Sequence, residues 1–206
     1  MTKNTYFITG IGTEVGKTIV SAIVTEALEA DYWKPIQAGD LENSDTYKVQ
    51  KLIENPKSVF HANSFALKTP MSPHAAAEID GVKITSKKIK EPKTSNHLVI
   101  EGAGGLLVPI SNSQTIADLI QPEHKVIVVS RHYLGSINHT LLTIEALKSR
   151  GLTCFGIIFS GDENPATEEI IIKMSGLRVL GRIEEEPYFD RAVVKEYAEK
   201  LKPTLL

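Results

Sequence analysis

Three observations predict an α/β fold: a doubly wound, mainly parallel sheet flanked by helices. Short apolar runs recur along the chain with helix-compatible segments between them. Several of those runs are apolar on consecutive residues, as parallel strands covered on both faces require. The first run ends in a glycine-rich turn that opens a helix, the punctuation of a strand–turn–helix unit.

The first strand is expected over Tyr6–Thr9, directly followed by Gly10-Ile11-Gly12-Thr13-Glu14-Val15-Gly16-Lys17-Thr18. Such a turn between strand and helix binds phosphate. Gly16 lets the backbone come close to a phosphate group, and Lys17 reaches β- and γ-phosphate oxygens. The Thr18 hydroxyl suits Mg²⁺. The helix-compatible run Ile19–Ala30 turns its positive end toward the same group. The turn is one residue longer than the usual spacing: five residues separate Gly10 from Gly16, and Ile11 stands where the first glycine is expected.

A second strand is expected over Tyr32–Ile36, and Lys34 near its end is a cation to aim at a phosphate or a developing anion. By residue type alone Lys34 reads as a surface lysine on a strand flank. Asn43-Ser44-Asp45-Thr46 opens a helix over Tyr47–Glu54, where Asp45 serves either the first helical turn or a metal. Met71-Ser72-Pro73-His74 opens another, with Ser72 as cap and Pro73 at the first position. The middle strand, Leu98–Glu101, ends in an acid followed by Gly102-Ala103-Gly104-Gly105. An acid closing a buried strand is what an Mg²⁺-anchoring carboxylate looks like beside a phosphate loop. Strands follow over Val126–Ser130, Phe155–Ser160 and Val179–Ile183. Between the first two of these, Ser136–Arg150 carries Ile137, Leu141, Ile144 and Leu147 at helical spacing and stops at Gly151. Free N–H groups at its start, Leu134-Gly135-Ser136-Ile137-Asn138-His139, suit a carboxylate, or Ser136 simply caps the helix. The last helix carries Phe189, Val193, Val194, Tyr197, Ala198 and Leu201 on one stripe, with Pro203 expected beyond it.

With 206 residues the chain is expected to form one domain, residues 1–206. A net charge of −2, with Lys83, Lys87, Lys88 and Lys90 as the densest basic cluster, gives no nucleic-acid footprint. The single cysteine, Cys154, cannot form a disulfide within the chain and reads as a buried core residue. The first strand begins too early for a signal peptide, and no apolar run approaches the ~18 residues of a membrane span. A cytoplasmic protein without membrane contact is expected.

Together these motifs resemble the dethiobiotin synthetase family, the ATP-dependent enzymes that close the ureido ring in biotin synthesis. The carriers are the phosphate loop with its additional residue, Tyr32-x-Lys34-Pro35 before a small-residue turn, and Asn43-Ser44-Asp45. Ser72-Pro73-His74, Glu101-Gly102-Ala103-Gly104-Gly105 and Leu134-Gly135-x-Ile137-Asn138-His139 complete the series, in the family's order. The resemblance implies a P-loop NTPase type of fold and roles for particular residues. Lys17 and Lys34 neutralise charge on the transferred phosphoryl group and on the carbamate. Thr18, Asp45 and Glu101 hold Mg²⁺, and Glu14, Val15, Gly16, Lys17, Thr18 and Ile19 wrap the phosphates of ATP. Thr13 and the loop Gly102, Ala103, Gly104 line the space between nucleotide and substrate. Gly135, Ser136, Ile137 and Asn138 receive the substrate carboxylate from across a homodimer interface. The implied substrates are 7,8-diaminononanoate and CO₂. The chain departs from the family at three places: Ala38 where relatives often carry a hydroxyl that meets substrate, Ser160-Gly161 in place of Asn-Asp, and Glu184 in place of proline. A plasmid-partition or division-site ATPase shares this fold, but often carries a further lysine early in the loop; Thr9 to Gly12 contain none.

Overall fold

The computed structural model describes residues 3–206. Nine strands and six longer helices are present among them: β1 (Thr5–Gly10), α1 (Lys17–Leu28), β2 (Asp31–Trp33), β3 (Ile36–Ala38), α2 (Asp45–Leu52), β4 (Phe60–His61), β5 (Phe65–Leu67), α3 (Pro73–Ile79), β6 (Leu98–Gly105), β7 (Lys125–Arg131), α4 (Ser136–Lys148), β8 (Cys154–Ser160), α5 (Pro165–Ser175), β9 (Val179–Ile183) and α6 (Arg191–Leu205). Seven strands form one sheet in the order β4-β2-β6-β1-β7-β8-β9. Every pairing in it is parallel, so each connection is a crossover and the sheet is doubly wound, as the sequence predicts. β1 lies at the centre with all its residues buried, and its carboxyl end meets Gly105 of β6 and Val129 of β7. No helix of the described residues is long and apolar enough to cross a membrane.

The expected second strand is the main correction. It divides into β2 and β3, and β3 leaves the large sheet to pair with β5 in a sheet of its own. Pro35 explains the break, because it has no N–H to give to a ladder. Lys34 therefore sits at the point where the chain peels away from the sheet's carboxyl edge. Gly102 to Gly105, expected as a loop, instead extend β6, and Gly105 pairs with Gly10. Both α1 and α2 begin two residues earlier than the sequence suggested.

Capping follows the sequence in part: Ser72 stands at the cap of α3 but makes no side-chain bond to the helix backbone. Ser44 accepts the Tyr47 N–H at the head of α2, and Asp190 accepts the Val193 N–H at the head of α6. At α4 the cap is Gly135 in a left-handed conformation (φ 105°), not Ser136, which lies buried in the first turn. Pro203, expected beyond the last helix, lies inside its final turn. Anchoring outweighs the lost backbone bond there: Leu205 is buried, its carbonyl accepts the Tyr6 hydroxyl at 2.7 Å, and the Thr204 hydroxyl donates to Leu180 and Leu201 carbonyls. Cys154 opens β8 half-buried rather than deep in the core, and burial pushes its thiol up to about 11.

Candidate active site

The phosphate loop hangs between β1 and α1. Its first part is anchored by the Ile11 N–H, which donates to the Val129 carbonyl at 3.1 Å. The Ile11 side chain is buried, so the residue in the glycine's usual place packs into the core. Two residues turn the chain through the left-handed region, Glu14 at φ 57° and Gly16 at φ 92°. Gly16 also faces Ser160, whose Oγ would stand 2.8 Å from an added Cβ. The loop closes around its lysine: Lys17 Nζ donates to the Gly12 carbonyl at 2.8 Å. Burial pulls the Lys17 ammonium down to about 8, with Lys34 adding repulsion and Glu101 and Asp45 opposing.

Opposite this loop stands a cluster of buried charge. Lys34 Nζ lies 2.5 Å from Asp45 Oδ2 and 2.9 Å from Glu101 Oε1, bridging the two carboxylates. Burial alone would lower the lysine's pKa, but the two acids outweigh it and hold Lys34 charged. Burial would likewise raise Asp45, and Lys34 reverses that, keeping its carboxylate ionised. Thr18 Oγ1 donates to Glu101 Oε1 at 3.0 Å, tying the start of α1 to the middle of β6. Tyr32 donates to the other oxygen, Oε2, at 2.8 Å. Desolvation and the adjoining Glu101 push the Tyr32 phenol well above its usual range, so it acts as a neutral donor. The Asp45 N–H donates to Gln37 Oε1, and Lys48 reaches Asp40 at 2.9 Å and Asp45 at 3.7 Å.

One cavity of about 770 Å³ joins both halves. Thr13, Glu14, Gly16, Lys17, Thr18 and Ile19 form its loop wall, and Lys34, Ala38, Asp45, Glu101, Ala103 and Gly104 lie among the remainder. The two lysines on which the sequence reading depends thus face the same space at the carboxyl edge of a parallel sheet.

Comparison with known proteins decides the family. Residues 4–193 match a family model described as an AAA domain. The chain is 70% identical over 200 residues to a protein of Christiangramia forsetii named ATP-dependent dethiobiotin synthetase BioD, covering 97% of both chains. A protein of Cytophaga hutchinsonii with the same name is 50% identical over 198 residues, covering 95% and 96%.

The chain belongs to the dethiobiotin synthetase family.

Solved structures with the same fold are more distant. The MinC:MinD cell division complex of Aquifex aeolicus superposes with a TM-score of 0.62 at 17% identity, covering 98% of this chain and 95% of that one. A plasmid partition protein of Borrelia burgdorferi gives 0.58 at 12% identity, covering 99% and 97%. At such identities the likeness is one of fold alone.

Not every residue predicted for a dethiobiotin synthetase site lines the cavity. The Val15 side chain is buried beneath the loop, and Gly102 packs against Phe7 and Ile116 within the sheet. Gly135, Ser136, Ile137 and Asn138 line a different hollow of about 760 Å³ at the head of α4. Met71, Ser72 and Pro73 reach the cavity wall, whereas His74 pairs with the Ser72 hydroxyl outside it. Sequence reasoning missed Gln37, Lys48 and Arg131 on the wall, and Tyr32 behind it. A polar residue two before Gly39, and a lysine one turn along from Asp45, were the available signals for Gln37 and Lys48.

The donor set fits Mg²⁺. The Thr18 hydroxyl and the Asp45 and Glu101 carboxylates are hard oxygen donors gathered at one cavity, and the pair of carboxylates already accommodates a cation in the Lys34 ammonium. Among the described residues no cluster of three or more His, Cys, Asp or Glu side chains forms a protein-only cage. Mg²⁺ needs none, because it is commonly held by one or two carboxylates together with phosphate oxygens and water.

Proposed function

We propose that this chain, working as one domain, closes the ureido ring of dethiobiotin from 7,8-diaminononanoate and CO₂ at the expense of ATP. The observation that supports the reading is the shared cavity lined by Lys17, on the phosphate loop, and by Lys34, which bonds to Glu101 as Thr18 of the loop does. CO₂ adds to one amine of the substrate to give a carbamate. Its oxygen takes the terminal phosphoryl group of ATP, ADP leaves, and a mixed carbamic–phosphoric anhydride forms. The second amine attacks the carbamate carbon, phosphate leaves, and the five-membered urea forms.

No protein nucleophile is needed, and the work reduces to positioning and charge stabilisation. The loop N–H groups and Lys17 bind the phosphates. The depressed Lys17 pKa marks an ammonium that gains most from an anion, since its burial is otherwise poorly compensated. Lys34 carries a held positive charge at the cavity wall, where negative charge builds up on the carbamate and the phosphoryl oxygens. Thr18, Asp45 and Glu101 would hold Mg²⁺, which supplies Lewis-acid stabilisation of phosphate charge when bound. Thr13, Ala103 and Gly104 line the cavity and would border the space between the two substrates. Ala38 gives that wall no hydroxyl, and Gln37, Lys48 and Ser72 are the polar groups nearby.

The head of α4 lines a separate hollow, with Leu134 fully exposed beside it. A second copy of the chain would bring its Gly135 to Asn138 turn to the cavity side, where N–H groups of the helix start other than that of Ser136, which donates to the Tyr133 carbonyl at 2.9 Å, would receive the substrate carboxylate. The experiment is phosphate release from ATP. Release that requires diamine and bicarbonate together supports the proposal. Release from ATP alone, indifferent to both, refutes it and favours a partition-type ATPase.

A further inference from the structure

Glu101 carries a feature that the proposed chemistry does not use. Its carboxylate is almost wholly buried, at 1% exposure, and its two oxygens are treated differently. Oε1 takes the Thr18 hydroxyl at 3.0 Å and the Lys34 ammonium at 2.9 Å, both groups of the cavity wall. Oε2 takes only the Tyr32 hydroxyl, at 2.8 Å. The Tyr32 phenol is fully buried and comes from β2, the strand paired beside β6. Its ring lies against Phe60 of β4, with centroids 6.0 Å apart. Rotation about the last bond of a glutamate is broad and roughly two-fold, so packing alone fixes a carboxylate plane poorly. Of the three donors on this carboxylate, Tyr32 alone holds Oε2, and it does so from outside the cavity wall, independently of Thr18 and Lys34.

We propose that Tyr32 is a positioning residue for metal binding: it turns Glu101 so that Oε1 faces the cavity beside Thr18. The inference rests on the reading of Glu101 as a metal ligand. Groups that orient a ligating carboxylate typically change metal affinity about 10–100-fold when removed. Tyr32→Phe keeps the ring against Phe60 and deletes only the donor.

The test is calorimetric titration with the β,γ-imido analogue of ATP, once in Mg²⁺ and once in EDTA. The ratio of the two affinities isolates the metal's contribution and is insensitive to general damage of the loop. Tyr32→Phe should lower that ratio about 10-fold or more and leave the EDTA affinity unchanged. Replacing Tyr32 with p-aminophenylalanine, which restores an N–H donor on the same ring, should recover most of it and provides a well-packed variant should the phenylalanine prove unstable. Glu101→Gln separates the two levels of the argument. If Glu101→Gln collapses the ratio while Tyr32→Phe preserves it, or if Tyr32→Phe weakens binding equally in both media, Tyr32 has no positioning role. If the ratio survives Glu101→Gln, the metal assignment falls and this inference with it.

Discussion

Replacing Lys17 with methionine should make the free protein more stable while it destroys nucleotide binding. The stem of Lys17 is buried, and the ammonium is drawn from 10.5 to about 8, chiefly by desolvation. At 1.36 kcal/mol for each tenfold change in proton affinity, folding a charged Lys17 at pH 7 costs about 3 kcal/mol. Methionine fills a similar volume without that cost. It also forfeits the bond to the Gly12 carbonyl, about 1.5–3 kcal/mol for a charged donor. The net gain at pH 7 is therefore about 1 kcal/mol, or about 2–4 °C in Tm for a chain of this size. The sign with pH follows from the direction of the shift. Between pH 8 and 10.5 the unfolded chain binds a proton that the folded one has released, so wild-type stability gains on the variant as pH rises through that window. At pH 9.5 the cost is down to about 1 kcal/mol and the variant's advantage should vanish. Urea melts at pH 7 and 9.5, each with and without ATP analogue, measure this directly. A variant that is less stable at pH 7, or whose difference from wild type is the same at both pH values, would refute the reasoning.

Other perturbations probe the remaining parts. Lys34→Ala should retain the fold and nucleotide binding but lose turnover, and added Mg²⁺ should raise its Tm more than it raises that of wild type, because Asp45 and Glu101 are left without their shared cation; a near-wild-type rate in the phosphate-release assay would count against the role given to Lys34. Gly16→Ala should cost about 1–3 kcal/mol from its left-handed backbone, plus a clash at Ser160, and weaken ATP-analogue binding by calorimetry; unchanged melts and affinity would contradict the loop geometry. Asp190→Ala, far along the chain at the head of α6, should lower stability by about 1 kcal/mol in urea melts without altering turnover; an effect on kcat would tie α6 to the chemistry.

Much of this was legible in the sequence because the site is built from backbone turns and strand ends. The strand before Gly10, the acid closing Leu98–Glu101 and the alternation of elements all point to a parallel sheet with its chemistry at the carboxyl edge. What escaped was short or depended on tertiary contact. β4 and β5 span two and three residues, too few for any periodicity to appear. The division of β2 from β3 turns on Pro35, and the chain's departure there is what frees Lys34 to reach Asp45 and Glu101. Taken singly, Lys34 reads as a surface lysine and Asp45 as a helix-start acid. Their pairing within a buried cluster is a fact of the fold, which spacing along the chain does not encode. Tyr32 opens the Tyr32-x-Lys34-Pro35 motif, but nothing in a linear pattern tells which end of a phenol meets an acid. Gln37 and Arg131 reach the cavity wall for the same unrecorded reason.

The central claim is that both lysines serve one phosphoryl group. A crystal structure with Mg²⁺, the β,γ-imido analogue of ATP and 7,8-diaminononanoate tests it directly. Both Nζ atoms should lie within hydrogen-bond distance of terminal phosphoryl or carbamate oxygens, with Lys17 released from the Gly12 carbonyl. Lys34 found still bridging Asp45 and Glu101, remote from the nucleotide, would contradict the account.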